Sequence, residues 1–214
     1  MDAGLIPIKP LDQSKRRLLN EVSESERAEI AEALVEDALG LCDSVDVLRW
    51  WVVTSDEAVV RMASSRDIGV VADPGDGLNE ALLTAIGEIS SAGAESVIIV
   101  PVDVPLAFKG DIEDLLDTGA TSDVVVVPAE GDGGTNALYL SPPHVMDPSF
   151  GRASFRAHLA EAERRSLRCS ILNLPRLALD LDTIEDAHEI LKRTRFPTTT
   201  SRALERILGT NREA

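Results

Sequence analysis

The sequence predicts a single α/β domain built on a doubly wound, mostly parallel β-sheet with helices on both faces. Three observations carry this. Short runs of Val, Ile and Leu alternate with amphipathic segments at βαβ spacing over the first two-thirds of the chain. Aromatic residues make up only 3%, so the core must be aliphatic, as strands covered on both faces require. No internal repeat, Ser- or Pro-rich linker or low-complexity run divides the 214 residues, a length suited to one domain.

The elements follow in order. Residues 4–8 (GLIPI) are short, apolar and at the start, as a first buried strand would be, and a basic loop follows at 9–17. From Ser23 to Leu41 the chain reads as an amphipathic helix: Ser23 with Glu26 fits a capping box, and Ile30, Leu34, Ala38 and Leu41 share one face. Residues 47–53 (VLRWWVV) are the second strand, 56–65 a short helix, and 69–72 (GVVA) the third strand. A glycine turn at 73–79 runs into a helix. Residues 96–100 (SVIIV) are a strand ending at Pro101-Val102-Asp103. A helix is expected over 111–118, strands over 123–128 and 136–140, a helix over 155–165, a strand over 169–174 and a helix over 183–193. A last helix at 198–208 lies in a tail, 197–214, set apart from the domain at 1–196; that tail could cover a homodimer partner or the domain's own sheet edge.

In doubly wound sheets ligands sit beyond the carboxyl ends of the strands. The loops that matter are therefore 9–17, 73–79, 101–106, 128–135 and 178–182, all richer in Gly, Asp, Lys or Pro than the elements they follow. Charge narrows the ligand. Asp and Glu number 37 against 21 Lys and Arg, a formal net charge of −16, which argues against nucleic acid or an anionic membrane as partner. Cys42 and Cys169 form no zinc or CxxC pattern and read as buried thiols of a reducing cytoplasm. No signal segment opens the chain, and no apolar run approaches the roughly 18 residues of a membrane span.

The glycine-rich turn Gly131, Gly133, Gly134 leads into Thr135, Asn136 and a strand, and a second turn, 150–155, opens the next helix; two ordinary loops is the plain reading. Two such turns can present N–H groups, hydroxyls and a helix N-terminus to one anion. Asp103 follows a strand directly, and Asp180 and Asp182 form a D-x-D whose i and i+2 side chains share a face. Three carboxylates at strand ends suit Mg²⁺; equally, Asp103 could be a solvated acid and Asp182 a cap for the helix at 183. Lys9, Lys15, Arg16 and Arg17 concentrate cations after the first strand, suited to a triphosphate or simply to solvent. At 73–79, Gly75 and Gly77 allow close backbone approach and Asn79 could read a base edge or ribose; a plain turn and helix cap is the alternative. There is no GxGxxG with its later acid, no P-loop, and no GxSxG or HExxH. His158, one turn into the helix after Ser154, could face the anion, but it reads rather as a polar surface residue.

Taken together, IPIKPLDQSKRRL, ADPGDGLNEAL, PVDVPL, GDGGTNAL, FGRASFRAHL and LALDLDTIEDA resemble the CofC/FbiD family over roughly residues 5–195. GGTNAL followed by FGxxSFxxHL is the most specific part. These are MobA-like guanylyltransferases, on a Rossmann-like nucleotide-diphospho-sugar transferase fold, that serve coenzyme F(420) biosynthesis. The resemblance implies GTP and a phosphorylated three-carbon acid (2-phospho-L-lactate, phosphoenolpyruvate or 3-phospho-D-glycerate) as substrates and Mg²⁺ as cofactor. It implies Asp103, Asp180 and Asp182 as metal ligands, and Thr135, Gly151 and Ser154 around the acid. Lys9, Lys15 and Arg17 would lie along the GTP phosphates, and Asp73, Gly77, Leu78 and Asn79 near the guanosine. Asp103, Lys15 and Arg17 would carry catalysis. Arg16, Arg152 and Ala153 depart from the family pattern. Another MobA-like transferase, for a sugar phosphate or molybdopterin, a D-x-D glycosyltransferase, and a non-catalytic GTP-binding protein are the competing readings.

Overall fold

A computed structural model describes residues 1–10, 22–131 and 133–210. The described chain runs β1 (Asp2–Pro7), α1 (Glu24–Ser44), β2 (Arg49–Thr54), α2 (Glu57–Ser64), β3 (Gly69–Ala72), α3 (Leu78–Ser91), β4 (Ser96–Ile99), α4 (Lys109–Gly119), β5 (Val124–Pro128), β6 (Thr135–Leu140), α5 (Ser154–Arg164), β7 (Cys169–Ile171), α6 (Ile184–Arg193) and α7 (Thr199–Thr210). The strands form one seven-stranded sheet in the order β3-β2-β1-β4-β6-β5-β7. β6 runs antiparallel to both neighbours, β4 and β5, and the other pairings are parallel.

This order fixes where a ligand can go. The chain winds from β1 outward to β3, then returns to β4 on the other side of β1. The switch point thus lies between β1 and β4, with Lys9 and Asp103 just beyond their carboxyl ends. Because β6 is reversed, its first residues, Thr135 and Asn136, start at that same end of the sheet. An apolar NALYL run does not reveal strand direction, so this delivery comes from topology.

Alternation along the strands feeds two cores. Ile6 and Ile8 face α1, α2 and α4, packing with Val35, Leu39, Val59, Ile112 and Leu115. Ala3 and Leu5 face α3 and α5, packing with Leu82, Ile86 and Ala162. The two tryptophans lie over glycines of adjacent strands: Trp50 is paired with Gly4, and Trp51 with Gly69. A Cβ on Gly4 would stand 2.2 Å from the Trp50 ring, and one on Gly69 2.3 Å from the Trp51 ring.

The capping box at Ser23 is present: Ser23 N–H donates to Glu26 Oε2 (2.7 Å) and Glu26 N–H to Ser23 Oγ (3.3 Å). α7 is part of the domain's own packing rather than a cover for a sheet edge. Leu204 and Ile207 are buried with Ile30, Leu34, Leu181 and Ile190, and Asp37 on α1 accepts from Thr199 N–H (2.7 Å) and Thr200 N–H (2.8 Å), capping α7. Cys42 is buried as expected, whereas Cys169, on edge strand β7, is only half-buried. Among the described residues no helix is long and apolar enough to cross a membrane.

Gly4→Ala tests the tryptophan–glycine packing. The added methyl has no room under the Trp50 ring, so we expect a loss of about 1–3 kcal/mol, read as a lower denaturant midpoint. An unchanged midpoint would contradict the packing described.

Candidate active site

Three loops meet at the carboxyl end of the sheet. The first holds acids. Asp103, Asp180 and Asp182, all half-buried, place carboxylate oxygens within 4.8 Å of one another. Backbone bonds set this geometry: Leu181 N–H donates to Asp103 O (2.9 Å) and Glu130 N–H to Ala178 O (2.6 Å). Asn136, 5% exposed, donates to both Ala178 O (3.1 Å) and Asp180 Oδ1 (3.0 Å). Further back, Arg176 forms a bidentate pair with buried Asp111 (2.9 and 2.7 Å), tying the segment before Asp180 to the start of α4.

Asp182 is not the helix cap. Thr183 caps α6, with its N–H donating to Asp186 Oδ2 (2.8 Å) and its Oγ1 accepting from Asp186 N–H (3.3 Å). Burial pushes the Asp180 carboxyl up to about 6, and the charges of Asp103 and Asp182 add to this despite the Asn136 bond. A cluster of oxygen donors whose charges oppose one another fits a hard divalent cation, which would relieve both burial and repulsion.

The second loop forms a cavity of about 350 Å³ between the ends of β1, β2 and β3. Lys9, Asp73, Gly77 and Leu78 line it together with Gly75. Gly75 and Gly77 have φ of +89° and +107°, where a side chain would be strained, and α3 starts directly after them. Asp73 Oδ1 accepts from Gly75 N–H (2.8 Å), fixing the turn. The size is in the range of small-molecule sites. Lys15 and Arg17 lie outside the described residues.

The third region joins the two glycine turns. Phe155 N–H donates to Gly133 O (3.2 Å), so the turn before β6 and the start of α5 are bonded to each other. Ala153 stands in the left-handed region (φ 59°) and Gly151 at φ 130°. Thr135 is 4% and Ser154 2% exposed. Ser154 Oγ, buried at the first turn of α5, has no hydrogen-bond partner among the described residues, which is costly unless a ligand supplies one.

Two sequence expectations change here. His158 is not a surface residue: it is fully buried on α5, contacting Thr135 Oγ1 through Nδ1 (3.0 Å) and Ser149 N–H through Nε2 (2.9 Å). It lies between Ala157 and Leu159, and its burial comes from packing against the second turn. Asn79 bonds the 149–154 loop: its Oδ1 accepts from Phe150 N–H (2.8 Å) and its Nδ2 donates to Phe150 O (3.1 Å). It therefore connects the 73–79 loop to the 149–154 loop, rather than facing the cavity. Sequence reasoning also missed Asn136 as a holder of Asp180. The only local signal was a polar residue entering an apolar strand.

The model of a family described as CofC-like guanylyl transferases matches residues 3–208. The chain belongs to this family. Among CofC-like relatives, a 2-phospho-L-lactate guanylyltransferase of Methanothermobacter thermautotrophicus is 36% identical over 218 residues, covering 95% of this chain and 96% of that protein. A phosphoenolpyruvate guanylyltransferase of Conexibacter woesei is 34% identical over 187 residues, covering 86% of this chain and 84% of that protein. Solved structures share the fold. A protein of Desulfovibrio desulfuricans G20 described as a nucleotide-diphospho-sugar transferase superposes with a TM-score of 0.81 at 19% identity, over 99% of this chain and 97% of that one. A cytidylyltransferase of Leptospira borgpetersenii gives 0.60 at 13% identity, over 99% and 95%. The seven-stranded, mostly parallel sheet is thus the nucleotidyltransferase type that the CofC-like motifs implied.

The raised Asp180 carboxyl has a checkable consequence. The folded state holds that proton more tightly than the unfolded chain, so this group's contribution to stability is present below pH about 4 and lost as pH rises to about 6. Without metal, Asp180→Asn should therefore melt higher than the parent at neutral pH, the gap closing on acidification. Magnesium should raise the melting temperature of the parent and not of the variant. A variant that melts lower at neutral pH, or that Mg²⁺ stabilises equally, would contradict the clustered-acid geometry.

Proposed function

We propose that this CofC-like protein transfers the guanylyl group of GTP to the phosphate of a phosphorylated three-carbon acid, with release of pyrophosphate, in coenzyme F(420) biosynthesis. The observation that carries the reading is the bond between the two glycine turns, Phe155 N–H to Gly133 O. It turns two separate loops into one small anion cradle, with an unsatisfied hydroxyl at Ser154, connected through β6 to the carboxylate cluster. The named relatives are a 2-phospho-L-lactate and a phosphoenolpyruvate guanylyltransferase; 3-phospho-D-glycerate is the third acid of the class.

In this reading the guanosine occupies the cavity lined by Lys9, Asp73, Gly77 and Leu78, near the N-terminus of α3. Lys9, with Lys15 and Arg17 from the neighbouring loop, neutralises the triphosphate. Thr135, Gly151 and Ser154 hold the acid, and Arg152, exposed beside them, offers its carboxylate a cation. Asp103, Asp180 and Asp182 hold Mg²⁺, which when bound supplies charge neutralisation at the reacting phosphates. An oxygen of the acceptor phosphate forms a bond to the α-phosphorus as the bond from that phosphorus to the bridging oxygen of pyrophosphate breaks. The acceptor phosphate is already ionised near neutral pH, so no general base is needed. Positioning and charge neutralisation do the catalysis. Cytoplasmic residence fits the two unpaired cysteines, Cys42 and Cys169.

Pyrophosphate release from GTP and Mg²⁺, with each of the three acids offered singly and with ATP replacing GTP as control, tests the reading. Release should need GTP and one acid together, and Asp103→Asn should cut it by about 10²–10³-fold or more without unfolding the protein. Nucleotide binding with no release for any acid, or near-parental rates in the variant, would overturn it.

A further inference from the structure

His158 is a buried titratable group that the reaction above does not use, and its two contacts fix its chemistry. A backbone N–H can only donate, so Nε2, which faces Ser149 N–H at 2.9 Å, must present a lone pair. The ring is therefore neutral and its single proton sits on Nδ1. Nδ1 faces Thr135 Oγ1 at 3.0 Å, so the ring donates and the hydroxyl accepts. Thr135, itself buried, is then left with its own proton to give to something else.

We infer that His158 is a positioning residue that orients the Thr135 hydroxyl, turning Thr135 into a committed hydrogen-bond donor toward the bound acid. The inference rests on the reading that Thr135 contacts the acceptor. The opposite tautomer would reverse the outcome. With the proton on Nε2, Nδ1 would take the Thr135 proton, and the hydroxyl would turn only lone pairs toward an anion. Ser149 N–H excludes that arrangement, and the edge-on contact of Phe150 with the ring, centroids 5.4 Å apart, restricts its rotation. Burial, which holds the imidazole down at about 4, keeps the same single proton in place throughout the neutral range. The frame behind it is equally fixed: Asn79 brackets Phe150 through both backbone groups (2.8 and 3.1 Å), so Ser149 cannot readily drift from Nε2.

Two measurements test this. Long-range nitrogen–proton NMR of the intact parent protein should show one histidine as the Nδ1–H tautomer, unchanged from about pH 6 to about pH 8. An Nε2–H tautomer for His158, or titration in that range, would overturn the proposal even if every variant failed to fold. The second is kinetic. His158→Gln can still accept from Ser149 N–H but places no donor at Thr135, whereas His158→Asn keeps a donor at the Nδ1 position. H158Q should raise KM for the acid by about ten- to a hundredfold and leave KM for GTP unchanged, with H158N recovering part of the loss. In a Thr135→Val background, H158Q should add nothing. Additive losses, or equal effects on both substrates, would overturn the role of His158 while leaving the acceptor site intact. A Thr135→Val variant with an unchanged acid KM would instead remove the acceptor-site reading and this inference with it.

Discussion

Three carboxylates within 4.8 Å of one another repel, and much of the site's scaffolding holds them there regardless. They come from two places, the end of β4 and the segment after β7, so no single element could impose their spacing. The Leu181–Asp103 backbone bond aligns the two segments. Asn136 grips Ala178 and Asp180 from β6, and the Arg176–Asp111 pair anchors the approach. An exposed ion pair contributes little, but the Asp111 side is 1% exposed, so losing Arg176 would leave a buried charge unpaired. Thr183, not Asp182, caps α6.

The reversed strand makes the rest of the site possible. β6 is the antiparallel member of the sheet, and its reversal brings Thr135 and Asn136 to the ligand end. Successive residues of a strand point in opposite directions, and these two serve different partners: Thr135 meets His158 on α5, while Asn136 meets Asp180. One strand start thus joins the bonded glycine turns to the acid cluster. Asn79 supplies the remaining connection, from the turn at 73–79 to Phe150 in the 149–154 loop. The three loops are thereby fixed relative to one another before any ligand arrives, the preorganisation on which a reaction run by positioning depends.

Much of the fold was legible because it is written in local pattern. The third strand, GVVA, occupies Gly69–Ala72 as expected, and the Ser23–Glu26 box marks the start of α1. The carboxylate trio was also legible, since strand ends collect ligands in this topology. What escaped depends on distant partners. Asn136 acts on residues 42 and 44 positions away, and no local signal reports that. A histidine in FRAHL does not announce its own burial, which comes with the docking of α5 against the 149–151 turn. Asn79 suited a base-reading role by its chemistry, and the structure uses the same amide chemistry on a backbone 71 residues on. Of the basic loop, residues 11–17, with Lys15, Arg16 and Arg17, lie outside the described residues.

In the proposed reaction, acid cluster, cavity and bonded glycine turns form one centre in which an acceptor phosphate oxygen attacks the α-phosphorus. Phosphorus NMR of the product made from GTP and an acid whose phosphate carries heavy oxygen tests it most directly. The account predicts a pair of coupled diphosphate resonances with the heavy isotope in the bridge, because the bridging oxygen comes from the acid. GMP alone, or a diphosphate with an unlabelled bridge, would contradict it.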